Sequence, residues 1–369
     1  MQSKYVLALS RLKRRLVEKY YKKNKNCQYG NPSLGRGYLE FIQYGEGNIA
    51  VAGWLFNANH PFDTFVIKVN DESCAEVAPI IREDVASAFS FMDNALMSGF
   101  SFCVPLVEEL ADIWTSIEIA GMHTGVELGH IKTLYRRDFH ALIPEPPVNL
   151  RKRVTNIEDP SAYWNSALKS YGEFFSILKE YRELQSINRL LDWGCGCGRL
   201  ASLFMKHSSI KEIYGCDIDK EAMEWCCENL KKGNFSVINP LPPTHYEDSM
   251  FDVVIGYSVF THLIRDVQIQ WLREIRRIIR PGGLFIVSIH GEFASNFVSS
   301  IIRKEIDREG ISDYKADSNL DGVAPAGYYR AVFQSKSYTQ YEWGKYFDIL
   351  RHIEGGVSNY QDLIIMQKK

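Results

Sequence analysis

An apolar run that ends in an acidic residue and three alternating glycines limits what this chain can fold into. Residues 189–199 read Arg-Leu-Leu-Asp-Trp-Gly-Cys-Gly-Cys-Gly-Arg. The apolar part predicts a buried strand, and the amphipathic stretch after Gly198 predicts a helix. A second predicted strand ends at Asp217, 19 residues after Gly198. This order predicts a nucleotide-type cofactor site at the first strand-to-helix turn of a doubly wound sheet.

Two classes of cofactor compete for such a turn. A dinucleotide site has the spacing G-x-G-x-x-G, whereas Gly194, Gly196 and Gly198 have the spacing G-x-G-x-G. Asp192 would repel a pyrophosphate but would suit a ligand that carries an ammonium group. S-adenosylmethionine has an ammonium, a sulfonium and a ribose but no phosphate. The spacing therefore disfavours a dehydrogenase that uses NAD, and the downstream motifs have to decide.

The downstream order agrees with S-adenosylmethionine. Residues 251–263 predict a buried strand and its exit loop, and residues 266–279 predict an amphipathic helix. Arg280-Pro-Gly-Gly283 should end that helix, because proline cannot continue it. Three further predicted strands, 284–290, 346–353 and 361–367, complete the order.

On these motifs, residues 150–369 resemble a class I S-adenosylmethionine-dependent methyltransferase. The resemblance implies a Rossmann-like, doubly wound α/β domain with a seven-stranded sheet, S-adenosylmethionine as the cofactor and methyl transfer as the activity. The strings Gly194–Arg199, Ser258–Leu263 and Trp271–Glu274 are similar to a bacterial subgroup found with glycan-assembly genes. That subgroup makes a saccharide the expected acceptor.

The cofactor contacts are expected along the strand ends of this domain. Asp217 would bind the ribose, and Tyr163 could reach the methionine carboxylate. Many family members hold the adenine with an acidic residue, which is lacking here, so that Asn239 or the backbone would take its place. The full set of expected cofactor residues is Asp192, Gly194, Gly196, Gly198, Asp217, Ile218, Asn239, Tyr257, Ser258 and Tyr163.

Two histidines follow strands of the predicted sheet and are the candidate catalytic residues. The acceptor of a doubly wound sheet lies beyond the carboxyl ends of the strands. His290 is our preferred general base, with Glu292 orienting its ring, although a purely structural hydrogen bond remains the alternative. His262 could also act in catalysis, pack beneath the cofactor or cap the next helix. Residues 292–340 would form an acceptor lid with contacts at Glu292, Tyr329, Arg330 and Tyr338.

Short predicted strands separated by turns occupy residues 35–142, which predicts a small all-β sandwich. Trp54, Tyr38 and Tyr44 could stack on sugar rings, but a core position for Trp54 is the competing interpretation. A proline-rich linker at 143–147 precedes the methyltransferase-like domain.

Residues 1–28 predict a basic amphipathic helix. The first 25 residues carry nine basic side chains and one acidic side chain, whereas the whole chain has a net charge of -2. Such a helix could contact anionic lipid at the inner membrane face, a partner protein or the acidic remainder of the chain. The acidic remainder argues against nucleic acid as a partner.

Composition and cysteines predict a cytoplasmic protein. No apolar run reaches the length needed to span a bilayer, and the N-terminus lacks the apolar core of a secretory signal. The eight cysteines are expected to be free thiols, since Cys195 and Cys197 lie within the cofactor motif. We expect no metal site, because no carboxylate cluster is apparent.

Three functions follow from these patterns. The leading hypothesis is a methyltransferase that methylates an oxygen of a saccharide in a cell-surface glycan or its precursor. The second is a methyltransferase for a small natural product or a lipid, in which case the sandwich is only structural. The third is a glycan-binding scaffold with a degenerate methyltransferase fold, which the intact glycines and Asp217 disfavour.

Overall fold

The computed structural model describes residues 35–90, 92–106, 114–296, 298–316, 322–325 and 327–369. The predicted basic helix at 1–28 lies outside the described residues. The chain divides into two compact units. The first unit runs to Arg137 and includes Ser295–Lys304, and the second unit comprises Asp138–Ala294 and Glu305–Lys369. None of the helices in the described residues is long and apolar enough to span a membrane.

The first unit contains two antiparallel sheets. One has the strand order β1-β2-β5 and the other has the order β4-β3-β6-β7. Phe65 of the second sheet packs edge-on against Phe100 of the first, with ring centroids 5.4 Å apart, so the apolar faces of the sheets meet. The bounds are β1 (Arg36–Gly45), β2 (Asn48–Phe56), β3 (Thr64–Val69), β4 (Glu72–Val77), α1 (Glu83–Ala88), β5 (Gly99–Pro105), β6 (Thr115–His123) and β7 (Val126–Tyr135).

Two features of this unit bear on the sequence expectations. Strand β4 exposes most of its residues and so lacks the apolar alternation that predicts a strand. Trp54 is buried, at 6% exposure, and packs on Phe56 and Phe89 with centroid distances of 5.8 and 5.4 Å. Trp54 is therefore a core residue, as the competing interpretation held, and it is not a candidate for stacking on sugars.

The second unit is built on a seven-stranded sheet in the order β10-β9-β8-β11-β12-β16-β15. The strands β8 to β12 are parallel, and β16 runs antiparallel to both β12 and β15. Strand β11 is buried along its whole length, as expected for a central parallel strand covered on both faces. The sheet bounds are β8 (Arg189–Trp193), β9 (Glu212–Asp217), β10 (Asn234–Val237), β11 (Phe251–Gly256), β12 (Ile279–Ile289), β15 (Asp348–Val357) and β16 (Gln361–Gln367).

A hairpin after the parallel strands forms a separate two-stranded sheet. It pairs β13 (Ile311–Ala316) with β14 (Arg330–Gln334). From residue 138 onward the helices are α2 (Val148–Thr155), α3 (Pro160–Tyr181), α4 (Arg199–His207), α5 (Lys220–Asn229), α6 (Arg265–Ile278), α7 (Glu292–Ser295), α8 (Ser300–Glu309) and α9 (Lys336–Tyr338), with a π-helical turn at Thr339–Trp343 and a 3₁₀ turn at Leu184–Ser186. The first unit has a 3₁₀ turn at Asp93–Ala95.

The Pro-Gly-Gly turn does not end α6, contrary to the sequence expectation, because the helix already ends at Ile278 and the turn lies within β12. Strand β12 begins at Ile279, before the turn, instead of at Leu284. Its register against β11 jumps from Ile279 to Leu284, which leaves residues 280–283 looped out of the ladder. Gly282 has a φ of +73°, a conformation that glycine adopts without strain. The turn is therefore a bulge within the strand, and the strand's carboxyl end still delivers His290 to the edge of the sheet.

Candidate active site

The loop between β8 and α4 has a backbone that requires glycine. Gly194, Gly196 and Gly198 have φ values of +74°, +52° and +68°, where a side chain is strained. A Cβ at Gly196 would also approach Val154 of α2 to 2.7 Å. The alternating glycines therefore produce a tight loop of left-handed residues at the carboxyl end of β8.

Asp192 lies beneath this loop. It is 2% exposed, and its Oδ2 accepts a hydrogen bond from the Ala201 N–H at 3.1 Å. Burial raises the pKa of Asp192 to about 7, because an apolar surrounding disfavours the charged form. In this conformation the carboxylate holds the first turn of α4.

Asp217 ends β9 beside the glycine loop. Its Oδ2 accepts from the Gly196 N–H at 2.8 Å and its Oδ1 accepts from the Asp219 N–H at 3.0 Å. Burial raises the pKa of Asp217. Ile218 packs on the apolar core of the sheet, and Asp219 caps α5 through the Ala222 N–H. The two backbone donors orient Asp217 at the sheet edge, and each of its oxygens keeps a further lone pair for a ligand.

Asn239 follows β10 at the same edge. Its side chain is exposed and lines a cavity of about 310 Å³ with Val237, Ile238, Pro243, Thr244 and His245. The loop is fixed to α6, since the Pro240 carbonyl accepts from the Trp271 indole at 3.2 Å.

Arg199 begins α4 directly after the last glycine. Its Nη1 donates to the Ser166 Oγ at 2.8 Å, and its guanidinium lies 6.0 Å from the Tyr163 ring centroid and 5.2 Å from that of Tyr257. Tyr163 is fully buried, and its hydroxyl has no hydrogen-bond partner among the described residues. The cluster thus combines a buried cation with a hydroxyl that is available to a ligand.

The exit loop of β11 is held by a network of hydroxyl groups. Ser258 has a φ of +60°, and its N–H donates to the Ser288 Oγ at 2.8 Å. The Gln361 amide donates to the Ser258 Oγ at 2.9 Å, and the Thr261 hydroxyl lies 3.1 Å from the same oxygen. These contacts fix Tyr257 and Ser258 between β12 and β16.

Strand β14 crosses the ends of β11 and β12 and binds both histidines. The His262 Nδ1 lies 2.9 Å from the Arg330 carbonyl, and the His290 Nδ1 lies 3.1 Å from the Val332 carbonyl. The two ring centroids are 6.3 Å apart, close to the two-residue repeat of a strand, about 6.6 Å. The period of β14 therefore sets the spacing of the two rings.

These contacts fix the tautomer of each ring. A carbonyl oxygen only accepts hydrogen bonds, so Nδ1 must carry the proton and Nε2 must hold the lone pair of the neutral imidazole. Burial lowers the pKa of His262 to about 4 and that of His290 to about 3. Both rings are therefore neutral near pH 7, with Nε2 as the basic atom.

The expected acceptor residues occupy different positions. Tyr329 stacks on His262 with ring centroids 3.9 Å apart, and Arg330 supplies the carbonyl to that histidine. Glu292 does not orient His290, because its Oε1 accepts from the Lys336 N–H and the Val332 carbonyl binds the ring. Tyr338 packs in a small core with Ile311 and Val332, where apolar burial holds it. The expectations for Glu292 and Tyr338 are corrected accordingly.

Part of this site lies in a stretch of the sequence that is similar to known methyltransferases. Residues 191–287 match a family model described as a methyltransferase domain. The chain is 32% identical over 104 residues to a probable S-adenosylmethionine-dependent methyltransferase of Mycolicibacterium smegmatis, which covers 27% of this chain and 37% of that protein. It is 27% identical over 112 residues to the ribosomal protein L11 methyltransferase of Thermotoga petrophila, covering 30% and 39% of the two chains.

Residues 191–287 are therefore similar to the methyltransferase domain of S-adenosylmethionine-dependent methyltransferases. The glycine loop, β9 and β11 all lie within the matched residues, and S-adenosylmethionine is the cofactor of the proteins that share this domain. The matches span only 37% and 39% of the two curated relatives.

Two solved structures are also among the matches. The PH0226 protein of Pyrococcus horikoshii OT3 is 20% identical with a TM-score of 0.42, covering 59% of this chain and 96% of that chain. The N-methyltransferase NodS of Bradyrhizobium japonicum, solved with S-adenosyl-L-homocysteine, is 12% identical with a TM-score of 0.37, covering 61% and 99%.

The methyltransferase domain has groups that fit this cofactor. Arg199 lies in the first turn of α4, where the helix dipole disfavours a cation, so an anionic partner such as the methionine carboxylate would stabilise it. The buried Tyr163 hydroxyl could donate to the same carboxylate. The free lone pairs of Asp217 suit ribose hydroxyls. No group of three or more metal-ligating side chains occurs in the described residues.

Sequence reasoning expected a loop with Gly355 and Gly356 between the closing strands but gave it no role in the site, and in the structure both glycines lie in β15. The Ser358 N–H donates to the Glu173 Oε1 at 2.8 Å, and the Ser358 hydroxyl lies 3.4 Å from that of Tyr257. The Tyr360 ring lies 5.4 Å from the His290 ring. Because β16 runs antiparallel to β12, this loop lies at the carboxyl edge of the sheet. The only available sequence signal was the antiparallel direction of the closing strand.

Proposed function

We propose that this chain is an enzyme that transfers a methyl group to an oxygen of a saccharide in a cell-surface glycan or its precursor. The observation that carries the proposal is the His290 Nδ1–H bond to the Val332 carbonyl, which leaves Nε2 as a base at the carboxyl edge of the sheet. A hydroxyl acceptor must lose a proton as it is methylated, so a base within hydrogen-bond reach is required. His262, which has the same tautomer, is the second catalytic candidate.

The cofactor would lie along the glycine loop of the methyltransferase domain. When bound, S-adenosylmethionine supplies a methyl group activated by a sulfonium and leaves as S-adenosylhomocysteine, while the acceptor gains a methyl ether. Asp217 would bind the ribose, Arg199 and Tyr163 the methionine carboxylate, and Asn239 the adenine. The other expected contacts are Asp192, Gly194, Gly196, Gly198, Ile218, Tyr257 and Ser258. The chain's own contribution is to align these groups and exclude water.

The segment 327–334 supports a covered acceptor site. The Tyr328 hydroxyl donates to the Pro240 carbonyl at 2.5 Å, Tyr329 stacks on His262, and β14 continues to His290. Buried Gln268 donates to the Gln334 Oε1 at 3.0 Å and so anchors β14 to α6. We infer that this segment covers the acceptor, with the aromatic rings of Tyr329 and Tyr360 facing sugar C–H groups and Arg330 near the opening.

We infer that the two antiparallel sheets of the first unit form a β-sandwich. Tyr38 and Tyr44 remain the aromatic candidates for sugar stacking there, because both are partly exposed, whereas Trp54 is buried. The Tyr44 ring lies 5.4 Å from the Arg137 guanidinium. The sandwich is proposed as an accessory module for the same saccharide.

The acceptor class can be tested with S-adenosylmethionine that carries a radiolabelled methyl group. The purified protein would be incubated with an extract of the source cells, followed by separation into polymer, lipid and small-molecule fractions. Label in polymeric or lipid-linked saccharide is expected. Label only in free lipids or small molecules would contradict the saccharide proposal and favour the alternative acceptor. Binding of S-adenosylhomocysteine without any label would favour a non-catalytic scaffold.

Asp192 gives a separate prediction about pH. Its pKa of about 7 means that the free protein is partly protonated there, whereas a bound ammonium or sulfonium favours the carboxylate. The affinity for S-adenosylhomocysteine, which keeps the ammonium, should therefore weaken as the pH falls below about 7, by up to about tenfold per pH unit. Calorimetric titrations between about pH 6 and 8 should show a shallower slope in Asp192→Asn. Equal slopes in the two proteins would contradict this assignment.

A further inference from the structure

The loop that carries His290 rests on a buried carboxylate. Asp362 is the second residue of β16 and is 0% exposed, and its neighbour in the ladder is Ile289, the last residue of β12. Its Oδ2 accepts from the Glu292 N–H at 2.9 Å and from the His352 Nε2 at 2.8 Å. Its Oδ1 accepts from the Gly355 N–H at 3.0 Å. The two backbone N–H groups can only donate, and an ionised carboxylate can only accept, so Asp362 accepts all three bonds and the His352 Nε2 carries a proton.

Gly291 allows this contact. A Cβ at position 291 would overlap the Asp362 carboxylate, so any other residue would separate the loop from β16. The φ of Gly291 lies outside the left-handed region. Glycine is therefore required here for the close approach of Asp362 and not for a backbone conformation.

The opposite side of the same loop is bound to β14. The Gln334 N–H donates to the His290 carbonyl at 2.9 Å, and the Val332 carbonyl binds the His290 ring. Residues 290–292 are thus held between β14 on one side and Asp362 on the other. Because the loop is bound on both sides and the ring is bound to the Val332 carbonyl, the His290 ring is held in one orientation.

We propose that Asp362 is a positioning residue for methyl transfer, which fixes the His290 loop against β14 and places a negative charge behind the base. This inference rests on the proposed role of His290. As His290 takes a proton from the acceptor, a buried carboxylate nearby stabilises the imidazolium that forms. Asp362 acts through His290 and does not contact the acceptor.

The electrostatic part of the inference takes account of the other groups around the His290 ring. His262 from the β11 exit loop disfavours the imidazolium, and Asp362 from β16 favours it. Tyr360 from the β15–β16 loop and Phe333 from β14 face the ring as neutral groups, and the Glu292 carboxylate is bound to the Lys336 N–H. Replacing Asp362 with a neutral residue should therefore lower the pKa of His290.

The test compares Asp362→Asn with Gly291→Ala. The first variant replaces one accepting oxygen with an NH₂ group, and the second leaves the carboxylate but displaces it. The acceptor is fresh saccharide fraction of the kind that becomes labelled with the wild type. We expect each variant to lower kcat by about 10²-fold, with KM and the affinity for S-adenosylhomocysteine within about twofold of the wild-type values. The double variant should lose little more than either single variant, because both break the same contact.

Two results would overturn the inference. One is a kcat near that of the wild type in either folded variant, and the other is multiplication of the two effects in the double variant. The pKa of His290 can be measured by nitrogen NMR of its ring without any turnover. We expect this pKa to be lower in Asp362→Asn than in the wild type. An unchanged pKa would overturn the electrostatic part of the inference. If neither variant folds, hydrogen exchange of the Glu292 backbone amide is measured in the wild-type protein. Rapid exchange would show that this amide does not bind Asp362 and would overturn the inference. Failure of the wild type to transfer methyl at all would instead reject the proposed function.

Discussion

Replacing His290 with alanine is expected to lower kcat by about two to four orders of magnitude while leaving the affinity for S-adenosylhomocysteine within about twofold. The expected loss is large because a saccharide hydroxyl is a weak nucleophile until its proton is removed. The affinity should be preserved because the groups assigned to the cofactor, Arg199, Tyr163 and Asp217, lie on other elements. The measurement is the rate of label transfer at saturating S-adenosylmethionine, paired with calorimetric titration of S-adenosylhomocysteine.

A matched variant separates catalysis from structure. His290→Asn keeps an N–H donor that can bind the Val332 carbonyl, but it has no basic nitrogen. If His290 is the base, Asn should be as inactive as Ala. If the histidine only fixes the loop, Asn should restore most of the activity, and the base assignment would fall. His130→Ala, an exposed site in the first unit, serves as the control for a lost histidine.

Replacing Asp217 with asparagine is expected to weaken binding of S-adenosylhomocysteine by roughly 100-fold. The amide nitrogen of Asn would face either the Gly196 or the Asp219 N–H, both of which now donate to Asp217. The variant would also lose charge-assisted hydrogen bonds to the ribose hydroxyls. Turnover at low cofactor concentration should fall in parallel with affinity.

Glu221→Gln is the matched control for that variant. Glu221 lies in the first turn of α5 close to Asp217, and it pairs with Arg153 at the surface. Its substitution removes a similar charge without altering the glycine loop, and exposed ion pairs contribute little. The affinity should stay within about twofold. A similar loss in both variants would mean that general electrostatics, and not the Asp217 contacts, controls binding.

The parts of the fold that were predicted from sequence depend on local patterns. Alternating glycines demand positive φ values, a continuous apolar run such as β11 demands burial, and the amphipathic period of α6 demands one buried face. Each signal is complete within about ten consecutive residues. The glycine loop and the two histidines were therefore located correctly before the partners of their side chains were known.

The parts that were missed depend on pairing between distant segments. Val332 fixes the tautomer of His290 and Asp362 supports its loop, but both are ordinary strand residues in the sequence. Glu292 was chosen to orient His290 because it is two residues away, yet its side chain reaches Lys336. Tyr338 was assigned to the acceptor as an aromatic residue, although the insert buries it in its own core. Neither closeness in sequence nor residue type predicts which distant backbone group a side chain will bind.

Arg199 is a case in which a signal was present but not used. A cation in the first turn of a helix opposes the helix dipole, and Arg199 follows directly after a glycine loop. That combination favours an anionic partner, and in the structure Arg199 is 8% exposed, lies near two tyrosine rings and interacts electrostatically with the carboxyl groups of Asp192 and Glu173.

The most direct test of the proposed function is to find the atom that receives the methyl group. The protein would be supplied with S-adenosylmethionine labelled with carbon-13 in the methyl group, together with the saccharide fraction, and the product would be examined by NMR. We expect the labelled methyl protons to correlate with a sugar ring carbon across an oxygen atom, and the product to be absent with His290→Ala. A methyl group on nitrogen, or a product that forms equally well without His290, would contradict the proposal.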